Sequence, residues 1–336
     1  MNNLKDRVTI YQVAQAAGVS LATVSRVINH QGNVTEATRK KVEETIQRLG
    51  YRPSGLAQAL ATNKTTNIGV IIPSANYVYL SNMLNGITDV AKEKGFQITL
   101  FTTSHSKEEA INQIEKVISS HVDGAIVFDD ELNQSDIEKI ASYNVPSIVI
   151  NSKFTSDRVG GIYFDYDKAL SKAIEDRYAD GYQGSMSFLH VHNCGQLLSA
   201  CEKAFIKKME ELGKEYRIIN ADDSYTRTYQ EFRDIFQNTK TGFYIAYRDS
   251  IAAAVMNAAT DSGLKVPEDI EVVSLVGTKY SYIFRPQMTA FHINMSDVGK
   301  RAMYMLVDLI GQNLVDKLNH FDAELVYRGS TKPLGM

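Results

Sequence analysis

The sequence predicts an α/β protein with an N-terminal three-helix head and hinge, followed by two doubly wound parallel-sheet subdomains. Three observations carry this. Helix-period segments with their own caps crowd the first 62 residues, whereas from Asn67 onward short apolar runs alternate with helix-period segments. The third is length, since 336 residues exceed one ordinary core and fit two or three domains.

In the head, Thr9 can cap a helix over Ile10–Ala17, Gly18 supplies a turn, and Ser20 caps a second helix running to about Asn29. A third helix starts after Thr35 and ends at Gly50, with Val42, Ile46 and Leu49 as its buried stripe. Two short helices joined at a glycine, with a third packed across them, describe a helix-turn-helix unit. The segment 54–60, SGLAQAL, is a candidate fourth helix, and Thr62–Asn67 reads as a linker.

In the body, IGVIIP (68–73), FQITLF (96–101), GAIVF (124–128), SIVI (147–150), SMSFLHV (185–191), GFYIAY (242–247) and IEVVSLV (270–276) read as buried parallel strands. Between them lie helix-period segments such as Leu80–Lys94, Lys107–Ser120, Gln134–Tyr143, Tyr166–Ala179, Leu198–Leu212 and Ser250–Ser262. In such a fold ligands are expected at the carboxyl ends of the strands.

Composition excludes several classes. Hydrophobic residues are 44%, charged residues 22% and prolines few, which rules out extended disorder and collagen-like chains. With only Cys194 and Cys201, a disulfide scaffold is excluded and a reducing compartment is expected. The N-terminus lacks the apolar run of a signal peptide, and no stretch approaches about 18 uninterrupted apolar residues, so a cytoplasmic protein without membrane contact is expected. Charge is uneven: residues 1–62 hold eight basic groups against four acids, a net of +4, so with the whole chain at −3 the remaining 274 carry −7. A basic head on an acidic body suits an end that meets a polyanion.

The second helix sorts into two faces. Val24, Val27 and Ile28 point to the three-helix core, while Leu21, Ala22, Ser25, Arg26 and Asn29 share the other side. An arginine can bridge guanine O6 and N7, and small apolar groups can meet a thymine methyl, so this face has the chemistry to read a major groove. An ordinary amphipathic helix of a small helical domain is the alternative.

The run from Val8 to Ala61, VTIYQVAQAAGVSLATVSRVINHQGNVTEATRKKVEETIQRLGYRPSGLAQALA, resembles the head of LacI/GalR bacterial transcription regulators. The resemblance continues through TTNIGVIIP (65–73), HVDGAIVF (121–128), VPSIVIN (145–151), GLKVPEDIEVVSL (263–275) and RPQMTA (285–290), and LATVSRVIN with the final RGSTK (328–332) is most similar to the catabolite-control branch. It implies a helix-turn-helix head with hinge over 1–62 and a periplasmic-binding-protein-like core over 63–336. Within the core it implies an N-subdomain of about 67–160 and 292–324 and a C-subdomain of about 161–291 and 325–336. By this likeness Tyr11, Ser20, Leu21, Ala22, Ser25, Arg26 and Asn29, with Thr9 and Thr23 beside them, hold the DNA-reading positions. Asn33, Thr35 and Thr38 match phosphate contacts, and Tyr51, Ser54, Ala57, Gln58 and Leu60 match the hinge. A seven-residue hinge containing Gly55 is too short to be helical alone, because isolated helices under about 12–15 residues are marginal in water. The resemblance implies that two hinges fold together on DNA and wedge the Leu60 pair into the minor groove.

For the effector cleft the resemblance implies Tyr77, Tyr79, Asn151, His192, Cys201, Arg248, Asp249 and Val276. Here the chain departs from its relatives: Cys201 stands where sugar and purine sensors carry an arginine, Arg248-Asp249 replaces an Asn-Asp pair, and Val276 replaces an aspartate. These exchanges argue against neutral sugars and for an anion held by Arg248, with a salt bridge from Arg248 to a neighbouring acid such as Asp249, closing a vestigial pocket, as the alternative. In the branch that answers to a phosphorylated carrier protein, the docking helix carries Tyr-Asp, then Arg and Lys. Here Ser296-Asp297, Tyr304 and Asp308 take those places, with Lys300 and Arg301 nearby. The alternation His190-x-His192-x-Cys194 puts three metal-capable groups on one strand face, but packing and cleft-lining roles are the expectation and no metal is.

The expected partners are thus a palindromic double-stranded DNA operator, a second copy of the chain, and either a small anionic metabolite or a phosphorylated carrier-protein corepressor; control by no effector is the alternative. No cofactor and no catalytic residue are expected, since no hydrolase, Walker A or dinucleotide motif occurs. A solute-binding protein of a transport system would share the core but not the head, and no heptad tail for a tetramer follows Arg328.

Overall fold

The computed structural model describes residues 8–29, 32, 34–52, 65–73, 78–103, 107–120, 122–128, 132–192, 195–313 and 316–335. The chain divides into two units, Met1–Thr66 and Asn67–Met336.

In the first unit, α1 (Ile10–Ala17), α2 (Leu21–Ile28) and α3 (Glu36–Leu49) start where hydroxyl side chains take up free backbone amides. Thr9 forms a capping box with Gln12, donating its N–H to Gln12 Oε1 at 2.8 Å and accepting the Gln12 N–H at 3.4 Å. Ser20 Oγ accepts from Thr23 N at 3.2 Å and Thr35 Oγ1 from Thr38 N at 3.3 Å. Gly18 and Gly50, both at φ +64°, close α1 and α3 in the left-handed conformation that a Cβ disfavours. Val13, Ala14, Ala17, Val24, Val27 and Val42 form the buried centre, with Ile28, Ile46 and Leu49 packed on its margin.

The second unit holds two six-stranded sheets. Its elements are β1 (Asn67–Ile72), α4 (Val78–Lys94), β2 (Gln97–Thr102), α5 (Lys107–Ser119), β3 (Gly124–Phe128), α6 (Gln134–Ser142), β4 (Ser147–Ile150), β5 (Val159–Asp165), α7 (Asp167–Ala179), β6 (Met186–Val191), α8 (Gly195–Glu211), β7 (Tyr216–Ala221), α9 (Tyr225–Asn238), β8 (Gly242–Arg248), α10 (Asp249–Asp261), β9 (Ile270–Val276), α11 (Tyr280–Ile283), β10 (Thr289–His292), α12 (Met295–Ile310), β11 (Leu318–Asp322) and β12 (Glu324–Val326). The strand orders are β11-β5-β4-β3-β1-β2 and β12-β10-β9-β8-β6-β7. All described pairings are parallel except β10 with β12.

The expected boundary near residue 160 needs correction. β5 pairs with β4 and β11 in the first sheet and carries that subdomain to Asp165. No apolar run announces this strand because Gly160 and Gly161 leave no room for side chains: a Cβ on Gly161 would stand 2.6 Å from the Ser152 carbonyl oxygen, and one on Gly160 2.8 Å from Ile148 Cδ1. The later crossover also shifts slightly, since Glu324 already pairs with His292 in the second sheet. Beyond the expected strands, β7, β10, β11 and β12 appear; β7 and β11 are half-exposed edges whose mixed composition hides them.

Helices α4 and α12 pack through a glycine pair, Gly86 and Gly299, flanked by Leu80, Met83, Ile87, Val298, Ala302 and Leu306. At the far end of the second sheet, Ser330 Oγ donates to Val272 O at 2.6 Å and accepts from Thr289 N at 2.8 Å, which stitches the C-terminal segment to β9 and β10.

Candidate functional site

In the head, α2 presents the face expected of it. Val24 and Val27 are buried, Ile28 is half-buried, and Leu21, Ala22, Arg26 and Asn29 are exposed, with Ser25 half-buried between them. The Asn29 amide donates to Ser25 Oγ at 3.3 Å, pinning that end of the face. Tyr11 on α1 is 71% exposed, and Leu21 38%; for apolar bodies in so small a domain, this exposure marks them as available to a partner. Thr9, Ser20, Thr23, Thr35 and Thr38 are engaged in caps: Thr9 Oγ1 also donates to Gln12 Oε1 at 3.3 Å, whereas the hydroxyls of Ser20 and Thr23 (2.8 Å) and of Thr35 and Thr38 (2.9 Å) share one hydrogen bond in each pair, which leaves one hydroxyl proton per pair to donate elsewhere. Tyr51 is half-buried, and burial pushes its hydroxyl above the usual phenol range. Asn33, Ser54, Ala57, Gln58 and Leu60 lie outside the described residues, as do Tyr77 and Cys194.

Of the expected cleft residues, Tyr79 and Val276 line an inner chamber and Asn151 an outer one, whereas His192, Cys201, Arg248 and Asp249 line neither. The inner chamber of the core cleft is ringed by Tyr79, Phe128, Phe164, Tyr166, Tyr247 and Phe291, with Leu197, Val276, Ile293 and Met295. Phe128, Tyr247 and Val276 end or nearly end β3, β8 and β9, so the carboxyl ends of both sheets converge here. The rings leave only about 30 Å³, room for a water molecule or two and not for a sugar. Tyr79 packs edge-on against Phe128, with ring centroids 6.2 Å apart. An outer chamber of about 610 Å³ lies beside it, and Phe164 and Leu197 line both. Asn151, in the left-handed region at φ +66°, faces this outer space.

Cys201 does not line the cleft. It is 1% exposed in the core of the second sheet, where burial pushes its thiol up to about 12. In a Cys194→Ser variant, the remaining thiol is therefore expected to react with a disulfide reagent only after unfolding; titration under native conditions checks this. Arg248 is committed too, since its guanidinium pairs with Asp223 and lies 5.1 Å from the Tyr247 ring. The cation on which an anionic ligand was expected is thus matched within the chain. Asp249 is buried and ties the loop after β9 to α10, accepting from Thr278 N at 2.8 Å and Thr278 Oγ1 at 2.5 Å. Its carboxyl lies above the usual range, chiefly through burial.

His192 is exposed, its ring edge-on to His190 at 4.9 Å, and His190 Nδ1 lies 2.6 Å from Glu202 Oε2. Among the described residues, no group of three or more His, Cys, Asp or Glu could hold a metal ion. On α12, Tyr304 donates to Glu93 at 2.9 Å, Arg301 Nε donates to Asn319 Oδ1 at 2.8 Å, and Lys300 lies 3.9 Å from Asp297. Apart from Tyr79, sequence reasoning missed the aromatic ring of the inner chamber, and it missed the charged lining of the outer one. Their position at strand ends was the available signal.

Residues 9–54 match the family model for bacterial regulatory proteins of the lacI family, and residues 191–331 match the periplasmic binding protein-like domain. The chain is 32% identical to catabolite control protein A of Streptococcus mutans over 98% of this chain and 100% of that one. It is 30% identical to the protein of that name from Priestia megaterium over 97% and 99%. Its structure matches the lac repressor dimer bound to operator and the anti-inducer ONPF with a TM-score of 0.85, at 25% identity, over 97% of this chain and 99% of that one. Among the described residues, no helix is long and apolar enough to cross a membrane. With a capped helix-turn-helix head, two doubly wound subdomains and full-length likeness at this level, the chain belongs to the lacI family of bacterial regulatory proteins, which are DNA-binding transcription regulators.

Proposed function

We propose that this regulator acts in the cytoplasm as a repressor of carbohydrate or carbon-catabolite genes, binding a palindromic operator through two heads and working by binding rather than catalysis. The observation that carries the reading is the exposed face of α2, where Leu21, Ala22, Arg26 and Asn29 stand clear of a core closed by Val24 and Val27. Arg26 bridges a guanine edge, Leu21 and Ala22 meet thymine methyls, and Thr9, Tyr11, Ser20, Thr23, Ser25, Thr35 and Thr38 position the head on phosphates. The N-termini of α2 and α3, each with one hydroxyl proton left to donate, suit that second role. Asn33 and the hinge residues Tyr51, Ser54, Ala57, Gln58 and Leu60 complete the interface in this reading, which takes residues 1–62 as head and hinge.

Arg26→Ala is expected to cost about 1–3 kcal/mol of operator binding and to relax one position in each half-site. Selection from random DNA followed by titration of wild type and variant tests this, and equal affinity for a selected palindrome and random DNA overturns the reading. Leu60→Ala is expected to weaken operator binding and reduce DNA bending while the urea midpoint of the core stays unchanged. Bending equal to wild type in a circular-permutation gel removes the wedge.

Of the two forms of control considered, the cleft has the better support. The surface of α12 offers a phosphoserine little, because Tyr304 and Asp308 replace cations and Arg301 is engaged by Asn319.

A further inference from the structure

The outer chamber has a composition that none of the cleft exchanges foreshadows. Lys153, Asp165 and Asp167 line it together, one ammonium and two carboxylates, and among the described residues no ion pair joins any of them to another side chain. Lys153 is instead held over the Tyr163 ring, 4.5 Å from its centroid, an arrangement that steadies the ammonium without neutralising it. Phe164 and Leu197 add apolar surface to this lining, and both also line the filled inner chamber. At about 610 Å³ the space falls in the range of small-molecule sites, about 300–1,000 Å³.

Charge selects the ligand. A simple anion meets two carboxylates and a simple cation meets Lys153, while a neutral sugar can hydrogen-bond to all three groups but pairs none of their charges. A molecule carrying both signs a few bonds apart, with an apolar body, matches the three charges and the apolar side chains of the lining, which also holds the neutral polar Gln134, Asn151, Ser152 and Thr155. We propose that the outer chamber binds a zwitterionic α-amino acid with an apolar side chain, its carboxylate on Lys153, its ammonium on Asp165 and Asp167, and its side chain on Phe164 and Leu197. The aromatic filling of the inner chamber displaces the ligand outward, away from Cys201, Arg248 and Val276. As a means of control over DNA binding, this rests on the cleft reading given under Proposed function.

The test uses the full chain, calorimetry, and L-leucine, L-phenylalanine, N-acetyl-L-leucine, L-leucinamide, glucose and glucose 6-phosphate as probes. The expected result is binding of L-leucine or L-phenylalanine and at least about tenfold weaker binding of the two analogues that each lack one charge. Lys153→Met and Asp165→Asn are each expected to weaken amino-acid binding at least about tenfold while leaving ligand-free operator affinity and the thermal midpoint unchanged. Silence toward both amino acids overturns the proposal, as does tighter binding of glucose or glucose 6-phosphate, or variants that bind like wild type. Operator titration in parallel separates the two failures: intact operator binding with no amino-acid binding removes this site alone, whereas loss of palindrome preference removes the DNA-binding reading. Amino-acid binding that leaves operator affinity unchanged keeps the site and removes only its control of the head.

Discussion

Arg177→Met is expected to lower the stability of the core by about 3–5 kcal/mol, because it strands a buried carboxylate. Arg177 Nη2 donates to Glu271 Oε1 at 2.7 Å and Nη1 to Asp180 Oδ2 at 2.8 Å, and the side chains of Arg177 and Glu271 are 8% and 3% exposed. Without the guanidinium, Asp180, at 21% exposure, can draw on water; Glu271 cannot. The backbone N–H of Lys332 still reaches Glu271 Oε2 at 2.9 Å, one neutral donor against a full charge. The C-terminal segment shares the loss, since Gly335 N donates to Asp180 at 2.6 Å. Urea unfolding checks the magnitude, and an unchanged midpoint dismisses the network as a source of stability. The double variant Arg177→Met with Glu271→Met discriminates further. Replacing both partners removes the stranded charge and is expected to recover most of the loss, as removing one partner of a buried pair costs more than removing both.

Gly86→Ala is expected to destabilise the N-subdomain by about 1–3 kcal/mol or more, against a helix-propensity gain of about 1 kcal/mol that would otherwise make it stabilising. A Cβ at Gly86 would stand 2.0 Å from the Ser296 carbonyl oxygen, and one at Gly299 2.1 Å from that of Met83. Both obstacles are backbone, so no side-chain rotation relieves them. The helices must part, and parting them loosens the contacts of Met83 and Ile87 with Val298 and Ala302 that close this face of the first sheet. Chemical denaturation of the full chain reads the effect. A gain in stability would mean that α4 and α12 pack elsewhere along their length.

The head was legible almost to the residue because its signals are local. A hydroxyl at Thr9, Ser20 or Thr35 followed by an apolar period, and a glycine at 18 or 50, set helix boundaries through interactions spanning three or four positions. The two faces of α2 followed from the same period. In the core, buried central strands such as IGVII and GAIVF declared themselves by unbroken apolar runs, whereas β5 was hidden by Gly160, which faces the Ile148 side chain, and Gly161, which faces the Ser152 and Phe154 carbonyls. The alternative of an internal salt bridge for Arg248 pointed to the adjacent Asp249, whereas the partner is Asp223, 25 positions earlier in the chain. The exchange at Cys201 was visible, yet its burial among Phe188, Phe205 and their neighbours was not.

Composition and periodicity on their own determined a basic helical head on an α/β body, the caps, and the exposed face with Arg26. Each depends on residue type within one helical turn or one strand. The exchanges at Cys201, Arg248 and Val276 were visible only through the resemblance to the family. The tertiary structure alone decided that six aromatic rings from distant segments fill the inner cleft, that Arg248 is neutralised, and that Lys153, Asp165 and Asp167 share an outer chamber. Those features arise where strand ends and crossovers converge, and the chain brings them together through sheet order, which residue spacing along the sequence does not encode.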